Sequence, residues 1–160
     1  MKAEMEQAIQ FRKENRPEDA FKMLSELLKI NSEDPDLNFQ MAWTCDSMGR
    51  ESDAVPFYER ALASGLVEGR AQALLGLAST CRSLGEYEKS LQLFDQAIAE
   101  FPGDRALKVF RSLCLYNLGR FEDSVSSLLQ QLLETTSDPG IASYGQALKF
   151  YSDQLNQKWS

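Results

Sequence analysis

Histidine is absent from these 160 residues. With it go the commonest general base, the usual nitrogen ligands of zinc and any Ser-His or Cys-His nucleophile pair. Cysteine is scarce: Cys45, Cys81 and Cys114 are odd in number, far apart and without Cys-x-x-Cys spacing, so they read as buried free thiols. No phosphate-cradling glycine loop is present, because the stretch from Leu62 to Gly69 lacks both the Lys-Ser/Thr ending and a preceding strand. No apolar run approaches the roughly eighteen residues of a membrane span, and the acid-bearing start MKAEMEQAIQFRKENRP resembles neither a secretory signal nor a transit peptide. Basic residues are the minority, 17 against 24 acidic, and the net charge of −7 repels phosphate backbones and anionic lipid. The nearest basic patch, Lys2, Arg12, Lys13 and Arg16, is diluted by Glu4, Glu6 and Glu14. The expectation is a soluble cytoplasmic protein that is not an enzyme, with no catalytic residues, cofactor or metal site and no nucleic-acid or membrane partner.

What is present is an internal repeat. The stretches from Met48 to Ala54, Leu84 to Ser90 and Leu118 to Ser124 align on Gly49, Gly85 and Gly119, separated by 36 and 34 residues. Each glycine ends a helical pattern where φ > 0 is needed, and each is followed within five residues by a small residue on a new helix. A fourth copy precedes them around Asn15, the next-best left-handed residue, and Pro17 fits the first turn of the helix after it. First helices are predicted near 3–14, 35–48, 70–84 and 105–118, second helices near 17–30, 52–64, 87–100 and 121–135. Pro56 is awkward there and predicts a shifted start or a kink. Small residues recur where paired helices approach: Ala8, Ala42, Ala78 and Ser112 on first helices, Ala20, Ala54, Ser90 and Ser124 on second. After Thr135 the pattern stops. Ser137-Asp138-Pro139 offers a cap and a helix start, and Ile141, Tyr144, Leu148, Tyr151 and Leu155 form one stripe on a final helix, with Trp159 just beyond.

These features resemble the tetratricopeptide repeat family, whose 34-residue helix-turn-helix pattern is matched best from Ala71 to Asp104 through Leu74, Leu77, Ala78, Cys81, Gly85, Tyr87, Ser90, Phe94, Ala97 and Pro102. Glu4, Asn38 and Lys108 depart from it where tryptophan is preferred, and Arg111 and Gln131 where apolar or small residues are usual. The resemblance implies an all-α, right-handed α-solenoid of about four repeats (1–34, 35–70, 71–104, 105–138) with a C-terminal capping helix over 139–160, together one domain.

In the second repeat Met41, Ala42, Cys45 and Met48 make one apolar face, and Phe39, Trp43 and Asp46 fall on a stripe roughly 150° away, so that two large aromatics need a second partner. By resemblance this stripe lines a concave groove, with Met5, Ile9 and Arg12, Leu75, Ser79 and Arg82, and Val109, Leu113 and Tyr116 at the equivalent places. The expected function is a protein-interaction scaffold that takes an apolar peptide or helical segment, with Phe39, Trp43 and Tyr116 as anchors. The alternative is a homodimer that buries the same stripe, or the Tyr144/Tyr151 face, against a twin. Family members that hold acidic chaperone tails use a clamp of lysine, asparagine and arginine. The matching positions here are Met5, Ile9, Gln40, Gln72 and Gly76, so that ligand is disfavoured.

Overall fold

The computed structural model describes residues 1–159. Ten helices and no strand occur among them: α1 (Lys2–Lys13), α2 (Pro17–Ile30), α3 (Pro35–Ser47), α4 (Glu51–Ala63), α5 (Arg70–Ser83), α6 (Tyr87–Glu100), α7 (Arg105–Asn117), α8 (Phe121–Thr135), α9 (Pro139–Ser143) and α10 (Gly145–Ser152). The first eight agree with the sequence-based bounds to within one residue. Two compact units are distinguished, Met1–Leu93 and Phe94–Ser160, with the division inside α6.

The turns joining α1 to α2, α3 to α4, α5 to α6 and α7 to α8 are chemically alike. Arg16, Arg50, Glu86 and Arg120 each donate a backbone N–H to the carbonyl five residues back, on Phe11, Cys45, Cys81 and Leu115, at 2.9 to 3.0 Å. That six-to-one bond requires a left-handed residue one place earlier. Asn15 (φ 60°) and Gly85 (φ 82°) supply it, asparagine being one of the few side chains that tolerates the region. Arg16, Arg50 and Arg120 then each pair with an aspartate three residues on, Asp19, Asp53 and Asp123.

In the first unit α1, α3 and α5 lie side by side, and α2 and α4 pack against them. Its core is built from Leu24, Leu37, Met41, Cys45, Tyr58, Leu66 and Leu77, with Ala8, Ala20, Ala42 and Ala54 fully buried at the close approaches. Asn38, also buried, stays in the helix by donating its amide to the carbonyls of Ser32 and Asp34, both at 2.8 Å. Pro56 lies inside α4, on its exposed side, without moving the helix start beyond Glu51.

In the second unit α8 packs on α7, and α10 packs on α8. Serine stands at two of the small-residue places, and each is satisfied there: Ser124 donates to the carbonyl of Ser112 at 2.7 Å, as Ser90 does to Ala78 in the first unit. The two unusual polar residues find partners as well. Arg111 pairs with Asp95, and buried Gln131 accepts from Arg105 at 3.4 Å.

One expectation is corrected. The segment 139–160 is not a single helix, because α9 ends at Ser143, Tyr144 takes a bridging conformation (φ −101°, ψ 10°), and α10 ends at Ser152. Gly140 and Gly145 lower helix propensity at both sides of the break. The start is as expected, with Asp138 capping Ile141 at 2.9 Å. The stripe is divided by the break: Ile141 and Leu148 are half-buried, whereas Tyr144, Tyr151 and Leu155 are exposed. Trp159 packs against Phe150 and Tyr151, with ring centroids 5.9 and 5.6 Å apart.

Candidate functional site

Nine of the twelve stripe residues fall in the first unit, on α1, α3 and α5. Two adjoining cavities open there. One, of about 500 Å³, is lined by Phe39, Trp43, Asp46, Tyr58, Leu75 and Ser79 among others. Its neighbour, of about 810 Å³, is lined by Met5, Ile9, Leu37, Phe39 and Trp43 with a rim of Glu6, Asp34, Asp36 and Glu68. Phe39, Trp43 and Gln72 belong to both. Val109, Leu113 and Tyr116 are on α7 in the second unit, where Val109 is half-buried and the other two are exposed. Tyr116 packs edge-on against Phe121, with centroids 5.1 Å apart.

Phe39 is in the floor of the site and not a free anchor. It is 6 % exposed, flanked by Trp43 and Tyr58, and the loop ahead of α5 crosses it so closely that a Cβ on Gly69 would lie 2.7 Å from its ring. That loop carries the two extra residues of the 36-residue spacing. Trp43, by contrast, is 46 % exposed and held from behind, its ring 5.7 Å from Phe39 and 4.5 Å below the Arg12 guanidinium. A cation over an indole face is favourable and helps to fix the ring, which still keeps nearly half of its surface open.

Arg12 is anchored in the protein itself. Its guanidinium donates to the Gln40 carbonyl (3.2 Å), the Gln40 side chain (2.8 Å) and the Thr44 hydroxyl (3.3 Å), and burial lowers its pKa. Asp46 holds the equivalent place on α3 and is engaged in the same way one repeat later. It accepts from the Tyr58 hydroxyl at 2.7 Å and from the Thr80 hydroxyl at 3.0 and 3.1 Å. Thr44 and Thr80 are themselves equivalent, so one hydroxyl position accepts from an arginine at the first junction and donates to a carboxylate at the second. Burial raises the Asp46 pKa, against the opposing effect of its two hydrogen bonds. Tyr58 is pushed well up by burial and by the adjacent carboxylate. Gly76 makes room for this arrangement, since a Cβ there would sit 2.5 Å from the Tyr58 hydroxyl.

Leu75, Ser79 and Arg82 are half-buried along α5, the first two facing the smaller cavity. The carboxylate rim was not part of the sequence-based site, because Asp34 and Glu68 come from the loops before α3 and α5, and Asp36 from the first turn of α3, off the stripe of Phe39, Trp43 and Asp46. Burial, then Asp34 and Glu68, raise the pKa of Asp36. The cysteines contribute nothing to this surface. Cys45 and Cys81 are buried in the helix interfaces, and desolvation pushes both thiols up to about 11.

Compared with known families, residues 35–155 match the model described as Tetratrico peptide repeat. No curated protein matches the chain. Among solved structures it is similar to MamA from Desulfovibrio magneticus RS-1 (TM-score 0.73, 19% identity, 93% of this chain and 81% of that one). It is also similar to YrrB, a TPR protein with an unusual peptide-binding site (TM-score 0.72, 18% identity, 97% and 78%). A third likeness is to pilF of Pseudomonas aeruginosa (TM-score 0.72, 15% identity, 99% and 77%). At these identities the likenesses speak for the fold.

Proposed function

Because the chain belongs to the tetratricopeptide repeat family, its match running over residues 35–155, we propose that it is a non-enzymatic scaffold whose α1–α3–α5 face receives an apolar peptide or helical segment of a partner protein. The observation that carries this reading is Trp43. A large aromatic is nearly half exposed, yet stacked under Arg12 and braced by Phe39 at the seam of two cavities. An aromatic already held in place loses little freedom on binding, and tryptophan is the side chain most often found to dominate an interface. Leu75, Met5 and Ile9 extend the apolar floor to either side.

The rim gives the preference a sign. Around the larger cavity Glu6, Asp34, Asp36 and Glu68 outnumber Lys2 and the Met1 amino group, which is itself paired with Glu4, while Arg12 is turned into the protein. A segment with an apolar residue flanked by lysine or arginine suits this surface, and an acidic tail does not. YrrB, of similar fold, is a peptide-binding relative in architecture.

Peptides selected from a random display library on the purified protein test the reading. Apolar peptides with basic flanks are expected, and their affinity should fall roughly thirtyfold, about 2 kcal/mol, in Trp43→Ala. Unchanged binding to folded Trp43→Ala would place the site elsewhere. A second reading, homodimerisation through the groove stripe or the C-terminal segment, draws on the exposed ring cluster of Phe150, Tyr151 and Trp159.

A further inference from the structure

Helix α8 exposes an apolar stripe where the other repeats hide one. Phe121, Val125, Leu128 and Leu132 are 55, 42, 36 and 41 % exposed. At 100° per residue the four fall within roughly 60° of the helix circumference. Stepping back from Leu128 by the spacings of the turns leads to Phe94, Tyr58 and Leu24, which are 0, 2 and 0 % exposed. The flanks of α8 are occupied. Ser124 and Gln131 turn to α7, and Ser126 and Leu133 border the crevice beside Lys149 and Asp153 of the α10 segment. The stripe lies between these flanks, and the exposed Tyr116 ring extends it at one end.

We infer that this stripe is a two-fold interface on which a second copy of the chain seats its own α8, antiparallel. This is separate from the groove on α1, α3 and α5 and does not depend on it. The spacing of the stripe, four, three and four residues, reads identically from both ends. An antiparallel pair centred between Ser126 and Ser127 therefore sets Phe121 against Leu132 and Val125 against Leu128, twice, so that each of the four α8 side chains has a partner. The charges allow it. Asp123 and Glu134 lie around the far side of α8, and Glu122 is the one carboxylate beside the stripe. Antiparallel pairing puts the two Glu122 positions about nine residue rises, roughly 13 Å, apart along the seam, beyond the Debye length at physiological salt. End-to-end stacking of α8 on α1 is a poorer match. There Glu4 and Gln7 are exposed at the places where the third repeat buries Leu74 and Leu77.

Sedimentation equilibrium of the full chain over a hundredfold concentration range tests the inference. A monomer–dimer equilibrium is expected, with the dissociation constant raised at least about tenfold by Leu128→Glu and unchanged by Tyr151→Ser, both variants keeping the helical spectrum. A monomer throughout, an assembly larger than a dimer, or a dimer sensitive to Tyr151→Ser and indifferent to Leu128→Glu would overturn it. Register is read separately with conservative changes. Chains carrying Val125→Cys and chains carrying Leu128→Cys, mixed and oxidised, should cross-link mainly to each other, and preferential cross-linking of either to itself would refute the antiparallel pairing. Failure here leaves the Trp43 result standing, because Trp43 is on the first unit.

Discussion

Gly76 and Asp46 show how single residues set the shape of the site. A methyl group at 76 meets Tyr58, whose hydroxyl is tied to Asp46 and whose ring is 2 % exposed, so the ring has little room to yield. Gly76→Ala should cost about 1–3 kcal/mol in urea unfolding, the usual range for overpacking, in spite of alanine's better helix propensity. Asp46 makes a pH-dependent contribution whose sign follows from its raised pKa. The folded state holds the proton more tightly than the unfolded chain. The stabilisation by the protonated form is therefore complete below the ordinary aspartate range and is lost as pH rises through the higher folded value. Asn at 46 keeps an acceptor for Tyr58 and Thr80 without the buried charge. The stability of Asp46→Asn relative to wild type should therefore improve as pH is raised from 4 to 7, measured by thermal unfolding. A difference flat in pH would show that the carboxylate titrates as in water. The sequence placed Arg12 and Asp46 on one stripe, but not which way they lean. An arginine beside Gln40 and Thr44 bonds inward because donors are cheaper to satisfy there than to leave half-desolvated, and periodicity carries no record of that.

At the level of elements, helices and turns were legible because their chemistry is local. A left-handed residue, a small residue five places on and an apolar period of three and four mark each hairpin, and the structure follows them to within a residue. Tertiary cover was not legible. Val125, Leu128 and Leu132 of α8 repeat an apolar pattern that α2, α4 and α6 share, and only the fold shows that theirs are covered. Phe39 reads as an outward aromatic until the Gly69 loop is seen lying over it. The break at Tyr144 was legible in part, since Gly140 and Gly145 flank it, but the seating of α10 on α8 was not. Two element-scale predictions follow from backbone bonding. Pro56 interrupts α4 on its exposed side, so Pro56→Ala should raise stability by about 1–3 kcal/mol in urea unfolding. Asp34 caps α3 by accepting from Leu37 at 2.9 Å, and Asp34→Ala should lower stability by about 1 kcal/mol in the same assay.

For the molecule as a whole, repeat architecture makes stability a sum of local terms that need not be equal along the chain. Three buried thiols, one each on α3, α5 and α7, report on that directly. Those of Cys45 and Cys81, with pKa values raised to about 11, stay protonated as well as hidden at neutral pH. Alkylation followed by mass spectrometry, at a dilution where the chain is monomeric, should label Cys114 first, since the second unit of the single chain leaves the α8 stripe open where the corresponding side chains of the first unit are closed. Equal rates at all three positions would mean that the chain opens as one body. The paired junctions through Thr44 and Thr80 have a different implication. A hydroxyl can be donor or acceptor, so the contact that docks one repeat on the next accepts a cation in one place and an anion in the other. Electric polarity along the α1–α3–α5 face is thus a free variable, able to change sign over generations of sequence drift while the joints beneath it hold.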